Sequence, residues 1–239
     1  MTTSPPFDDL AFLTKEPITF LPRSPGSSAL SLRVTRLDIG PNYTHWLVGN
    51  AVGAMTAAGV PAFEPEHTAQ VLRLKLFPGG EDERARWLEH HLVLQEATLL
   101  LNSLVHVPNS VLPGAVTATM PDGQQVTLCA ALMQLICNKC VGQLDDNRNY
   151  VIARSLLLFG MLMREDGVTF GDLRTEHFSL SMDPVSRRGA QYSTFRRCVT
   201  LTEWSGMSLR RRGEPRDEVG HRKDAAVLEE VAMIILRYA

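Results

Sequence analysis

Lys75, Glu96, Asp172, His177 and Glu203 are the residues whose types and settings could do chemistry. Lys75 sits in the alternating run Val71-Leu72-Arg73-Leu74-Lys75-Leu76-Phe77, and Glu96 lies in the helical segment that follows. A strand lysine oriented by a helix glutamate is a device for gripping nucleotide phosphates. Asp172, in Gly171-Asp172-Leu173, could accept the proton of an attacking hydroxyl, with His177 five residues downstream. Glu203, in Thr202-Glu203-Trp204-Ser205-Gly206, could offer a carboxylate to a divalent metal. Together these are parts for phosphoryl transfer, which needs positioning and charge neutralisation more than covalent help. Taken singly, Lys75 reads as a surface lysine and Glu96 as a solvated helix residue. Their joint placement with the later loop gives them meaning.

The elements that would position these residues follow from patterning. Residues 32–39 alternate in strand fashion up to the turn signal Gly40-Pro41-Asn42, and Thr44 to Val48 can be the return strand. Residues 71–77 form a third strand, stopped by Pro78-Gly79-Gly80. Residues 81–104 read as a helix, with Glu81, Asp82 and Glu83 in the first turn, where the dipole favours acids. A hairpin follows, Val111–Met120 and Gln125–Met133 around Pro121-Asp122-Gly123. Residues 150–164 make a mostly apolar, buried helix. Phe178–Met182 and Cys198–Thr202 are short strands, residues 206–223 are charged and turn-rich, and a last helix runs from about Asp224 to Leu236.

Composition narrows the class. The chain has 239 residues, 44% hydrophobic and 21% charged, as in ordinary globular proteins. A net charge of −2 gives no bulk attraction to nucleic acid or membrane. No apolar run reaches a membrane span, and the polar N-terminus lacks the core of a secretory signal. Four cysteines in so long a chain are no disulfide framework, which favours a reducing compartment, the cytoplasm, with the nucleus also open.

The element order and the loop motif resemble the protein-kinase superfamily. The expected fold is α+β: a bilobal protein-kinase-like fold with a reduced C-terminal lobe. Residues 1–30, rich in Pro, Ser and Thr, are expected to be a flexible leader, with a β-rich lobe over 31–134 and a helical lobe over 135–239. Gly171-Asp172-Leu173-Arg174-Thr175 resembles the Gly-Asp-Leu-Thr-Thr loop of the small atypical kinase/ATPase of the KEOPS (EKC) complex, the PRPK family. Val93-Leu94-Gln95-Glu96-Ala97 is similar to that family's helix-glutamate segment, and Phe77-Pro78 to its anchor after the lysine strand. The short path from Glu203 to Asp224-Ala225-Ala226-Val227 is similar too, and the resemblance spans roughly residues 32–237.

What the resemblance implies is an ATP- and magnesium-using subunit that supports threonylcarbamoyladenosine modification of tRNA. Asp172 would be catalytic, Lys75, Glu96, His177 and Glu203 would face the nucleotide, and Glu203 would hold metal. The partner would be the KEOPS transferase subunit, with tRNA contacted indirectly and no membrane involved. Two departures weaken that chemistry. His177 stands where the family has a metal-binding Asn, and imidazole is a poor magnesium ligand. Glu203 replaces the aspartate of Asp-Phe-Gly. A pseudokinase with weakened or lost catalysis is therefore expected. The alternatives are an active atypical Ser/Thr kinase or ATPase, and a structural subunit of another assembly.

Other signals carry less. The nucleotide-covering turn has two placements, Gly40–Thr44 and Gly49–Gly53, neither rich enough in glycine to match the pattern well. Cys137-Asn138-Lys139-Cys140 has zinc-knuckle spacing but no second close pair. His90 and His91 are adjacent and so share no helix face. Arg187-Arg188, Arg196-Arg197 and Arg210-Arg211-Arg212 could rim a tRNA site, but they read better as separate solvated loop runs.

Overall fold

The computed structural model describes residues 7–23, 26–36, 45–49, 71–99, 105–108, 111–135, 146–185, 194–211 and 213–237. The Gly40–Thr44 turn, all but Gly49 of its alternative, the Cys137–Cys140 pair, Arg187-Arg188 and Arg212 lie outside the described residues. The chain divides into two compact units: Met1–Arg86 with Pro108–Leu135, and Trp87–Val107 with Ile136–Ala239.

The first unit is a closed antiparallel barrel of six strands: β1 (Ile18–Pro22), β2 (Leu30–Arg36), β3 (His45–Gly49), β4 (Val71–Leu76), β6 (Val111–Thr119) and β7 (Gln125–Leu135). The two-residue β5 (Val105–His106) belongs to the second unit. The barrel order is β1-β2-β3-β4-β7-β6, and β1 closes it by pairing with both β2 and β6. Alternation fills the interior: Ile18 and Phe20, Leu30, Leu32 and Val34, Trp46 and Val48, and Leu72, Leu74 and Leu76 all join one buried cluster. Leu10, Phe12 and Leu13, from the 3-10 helix Phe7–Thr14, belong to the same cluster.

Two expectations are corrected here. The bilobal kinase-like α+β fold does not hold, because six strands close on themselves into a barrel. Within the expected leader, Ile18–Pro22 supplies the closing strand, and its Ile18 and Phe20 are core. The physical reason is one of edges. A strand rich in β-branched and aromatic residues gains two ladders by joining both free edges of the sheet.

Helix α1 (Gly80–Leu99) starts in the first unit and ends in the second. Its start is anchored on the barrel. The Glu83 carboxylate accepts the Gly79 N–H at 2.6 Å. The buried Arg84 guanidinium donates to Gly114 O and pairs with Glu81. That hydrogen bond, with a second from Arg23, holds the Glu81 carboxyl below its usual range despite some desolvation.

The second unit contains α2 (Asp146–Glu165) and α3 (Glu218–Arg237), a three-stranded sheet in the order β5-β10-β9, and the small pair β8–β11. Strands β9 (Phe178–Val185) and β10 (Thr194–Leu201) form an antiparallel hairpin, while β8 (Val168–Thr169) pairs with β11 (Ser208–Leu209). Asn149 Nδ2 donates to Ile235 O at 3.1 Å, tying α2 to α3. Helix α3 starts at Glu218, earlier than the charged sequence suggested, because Asp217 Oδ1 caps it by accepting the Gly220 N–H at 2.9 Å.

Gly114 tests the closure. A Cβ there would run into the Phe20 ring and stand 2.6 Å from Leu21 O, on the neighbouring strand. Gly114→Val should lower the urea unfolding free energy by about 1–3 kcal/mol through forced overpacking. Unchanged stability would mean that β1 does not seat on β6 as described.

Candidate functional site

The second unit brings three of the expected residues into one electrostatic neighbourhood. The segment 170–177 leaves β8, and the segment 202–206 leaves β10 and returns to β11 beside β8. The two segments are stapled together. His177 O accepts hydrogen bonds from both Thr202 N, at 2.8 Å, and Thr202 Oγ1, at 2.9 Å. Thr169 and Ser208 hydroxyls meet at 2.7 Å across the β8–β11 pair.

Two glycines allow the close approach. Gly171 has φ +72°, a left-handed conformation suited to glycine, and a Cβ there would stand 2.8 Å from Gly206 O. A Cβ on Gly206 would collide with the Asp172 carboxylate and lie 2.6 Å from Phe170 O. The Asp172 and Glu203 segments therefore touch backbone to backbone, as no larger residues would permit.

Asp172 is exposed, whereas His177 and Glu203 are buried. Burial pushes the His177 imidazole below its usual range, against the opposing pull of Glu203 and then Asp172. Glu203 Oε1 is committed locally, accepting the N–H of Trp204 at 2.8 Å and of Ser205 at 2.7 Å. The carboxylate thus holds its own turn.

Lys75 belongs to the first unit. It is fully buried on the barrel wall, its Nζ 3.4 Å from His45 Nε2 and 5.4 Å from the centre of the Phe77 ring. His45 sits directly opposite on β3. Glu96 is an exposed residue of α1 in the second unit. Its own exposure matches the solvated-glutamate reading, whereas burial removes the surface-lysine reading of Lys75.

Sequence reasoning missed the groups that hold the site in place. Asp224, on the buried stripe of α3 with Leu228, Val231 and Ile235, accepts the Phe170 N–H on Oδ2 at 2.8 Å. Burial raises its carboxyl above the usual range, and the Phe170 bond opposes that. A carboxylate in an apolar helix stripe was a readable signal, since a buried charge needs a partner. Behind Glu203, Trp204 stacks on Trp87 at 4.4 Å and on His91 at 5.4 Å, and its indole N–H donates to Trp87 O at 3.1 Å. This stack fixes the Glu203 turn against the part of α1 in the second unit.

The donor set does not suit a magnesium–nucleotide complex. His177 offers imidazole in place of oxygen, and one Glu203 oxygen already serves two backbone donors. Among the described residues, no three His, Cys, Asp or Glu side chains converge as a metal-binding group. Comparison with known proteins found no family model and no curated protein that matches the chain.

The buried imidazole makes stability pH-dependent. Its folded pKa lies below the unfolded value, so the unfolded chain binds the proton more readily. Stability should hold above about pH 6.5 and fall as pH drops through that value. His177→Gln should flatten that limb in urea titrations from neutral to mildly acidic pH. An unchanged slope would place the acid sensitivity elsewhere.

Proposed function

We propose that the chain is a kinase-like, ATPase-type subunit whose phosphoryl-transfer chemistry is weakened or lost, and which acts by binding. The barrel removes any support that the overall fold lent this reading. What supports it is the second unit, where an exposed aspartate, a buried histidine and a buried glutamate occupy two segments stapled through His177 O. That arrangement sets the three side chains the loop motif singled out in one electrostatic neighbourhood. The observation carrying the loss is the commitment of Glu203 Oε1 to Trp204 N and Ser205 N. A carboxylate already accepting two backbone bonds gains less from a metal, and imidazole is a weak substitute for the second oxygen ligand. With both metal positions impaired, neutralisation of the transferring group would fail, at a cost of several orders of magnitude in rate.

The motif resemblance supports a more specific assignment: a KEOPS subunit in tRNA threonylcarbamoyladenosine synthesis, bound to the transferase subunit and reaching tRNA through it. No described helix is long and apolar enough to cross a membrane. A cytoplasmic or nuclear setting is part of the same proposal.

The test pairs turnover with partner recovery. The purified chain should show no magnesium-dependent ATP hydrolysis above that of Asp172→Asn, and tagged chain from its own cells should recover the transferase subunit. Robust hydrolysis abolished by Asp172→Asn would overturn the loss of catalysis. Recovery of an unrelated assembly without the transferase would overturn the KEOPS assignment.

A further inference from the structure

A cavity of about 590 Å³ opens in the second unit between α2, α3 and β8, a size typical of small-molecule clefts. Its walls are largely apolar, with Leu157, Met161, Met163, Phe170 and Leu228 among them. Two ionisable side chains also line it, and both are more than nine-tenths buried: His221 at 7% exposure and Asp224 at 6%.

Asp224 uses Oδ2 for the Phe170 N–H, and among the described residues no donor meets Oδ1. His221 is among the residues that line the cavity. Polar groups on the wall of a largely apolar cleft are what fixes the orientation of a bound molecule.

The charges on the walls choose the ligand's sign. Glu218, Asp224 and Glu229 supply three carboxylates, while Arg164 and Arg222 supply two guanidiniums. With histidine counted neutral, the walls carry one excess negative charge. Arg164 is already paired with Glu218 at 2.8 Å, so it is poorly placed to hold an anion. An ammonium head carries only donors, and Asp224 Oδ1 and an imidazole nitrogen are acceptors. The apolar walls then suit a hydrocarbon body.

The geometry points to a binding site for a small apolar amine, its ammonium at Asp224 and His221 and its hydrocarbon among Leu157, Met161 and Leu228. This site is separate from the Asp172–Glu203 cluster and does not rest on the function proposed above. The two border each other at Phe170, a wall residue two positions before Asp172 whose N–H bonds Asp224.

Methyl-labelled methionine resonances give a direct readout, because Met161 and Met163 both line the cavity. Titration of the full chain with hexylamine should shift both methyls saturably. Hexanoate should bind at least about tenfold more weakly, the scale of one charge-assisted hydrogen bond. Asp224→Asn keeps an oxygen for the Phe170 N–H but loses the charge, and should weaken hexylamine by about tenfold. Leu157→Trp, at a 40% exposed position on the wall, fills the space from α2 and should abolish the shifts in a folded protein. No saturable shift, equal binding of hexanoate, or full affinity in folded Asp224→Asn or Leu157→Trp would overturn the assignment.

Discussion

One carbonyl organises the second unit's site. His177 O takes two hydrogen bonds from a single residue, the amide and hydroxyl of Thr202, both in the buried interior. A buried donor without its acceptor costs about 1–3 kcal/mol, so the contact is expensive to open. The Asp172–Glu203 cluster hangs from it. The segment before His177 carries Asp172, the segment after Thr202 carries Glu203, and the staple forces them together at Gly171 and Gly206. Asp224 fixes the other end of the first segment through Phe170 N. The Trp87–Trp204 stack fixes the far side of the second.

This construction favours rigidity over chemistry. A working metal site needs oxygens free to bind, presented in a polar setting. Here burial disfavours the charged imidazole, and Glu203 satisfies its own turn's amides. The carboxylate thereby has a structural role in its own turn. Asp172, in contrast, is exposed, so it is the part of the cluster open to a visitor.

Much of the local structure was legible in the sequence, because it is set by period and punctuation. The α1 start, with three acids after Pro78-Gly79-Gly80, and the hairpin around Asp122-Gly123 both follow directly from such signals. The barrel did not. Strand β1 reads as part of a Pro- and Ser-rich segment, and nothing in Ile18-Thr19-Phe20-Leu21 says that its partners will be Leu30–Leu32 on one side and Gly114–Thr117 on the other. Closure depends on long-range pairing, which short-range patterning cannot specify. The candidate site was half legible. Loop motifs pointed to Asp172, His177 and Glu203, but motif spacing said nothing of Thr202 or Trp87, whose roles arise only from contact. Asp224 could have been found by asking why a carboxylate lies on the buried stripe of an apolar helix.

The central claim is that Glu203 and His177 serve the fold of the site and do not hold a metal. Manganese is a paramagnetic substitute for magnesium, and its electron paramagnetic resonance signal reports the free ion, so bound ions are counted by difference. In a titration of manganese into the chain with ATP, the account predicts no bound ions beyond those that ATP itself takes up. One additional stoichiometric site on the wild-type chain, lost in Glu203→Gln, would contradict it.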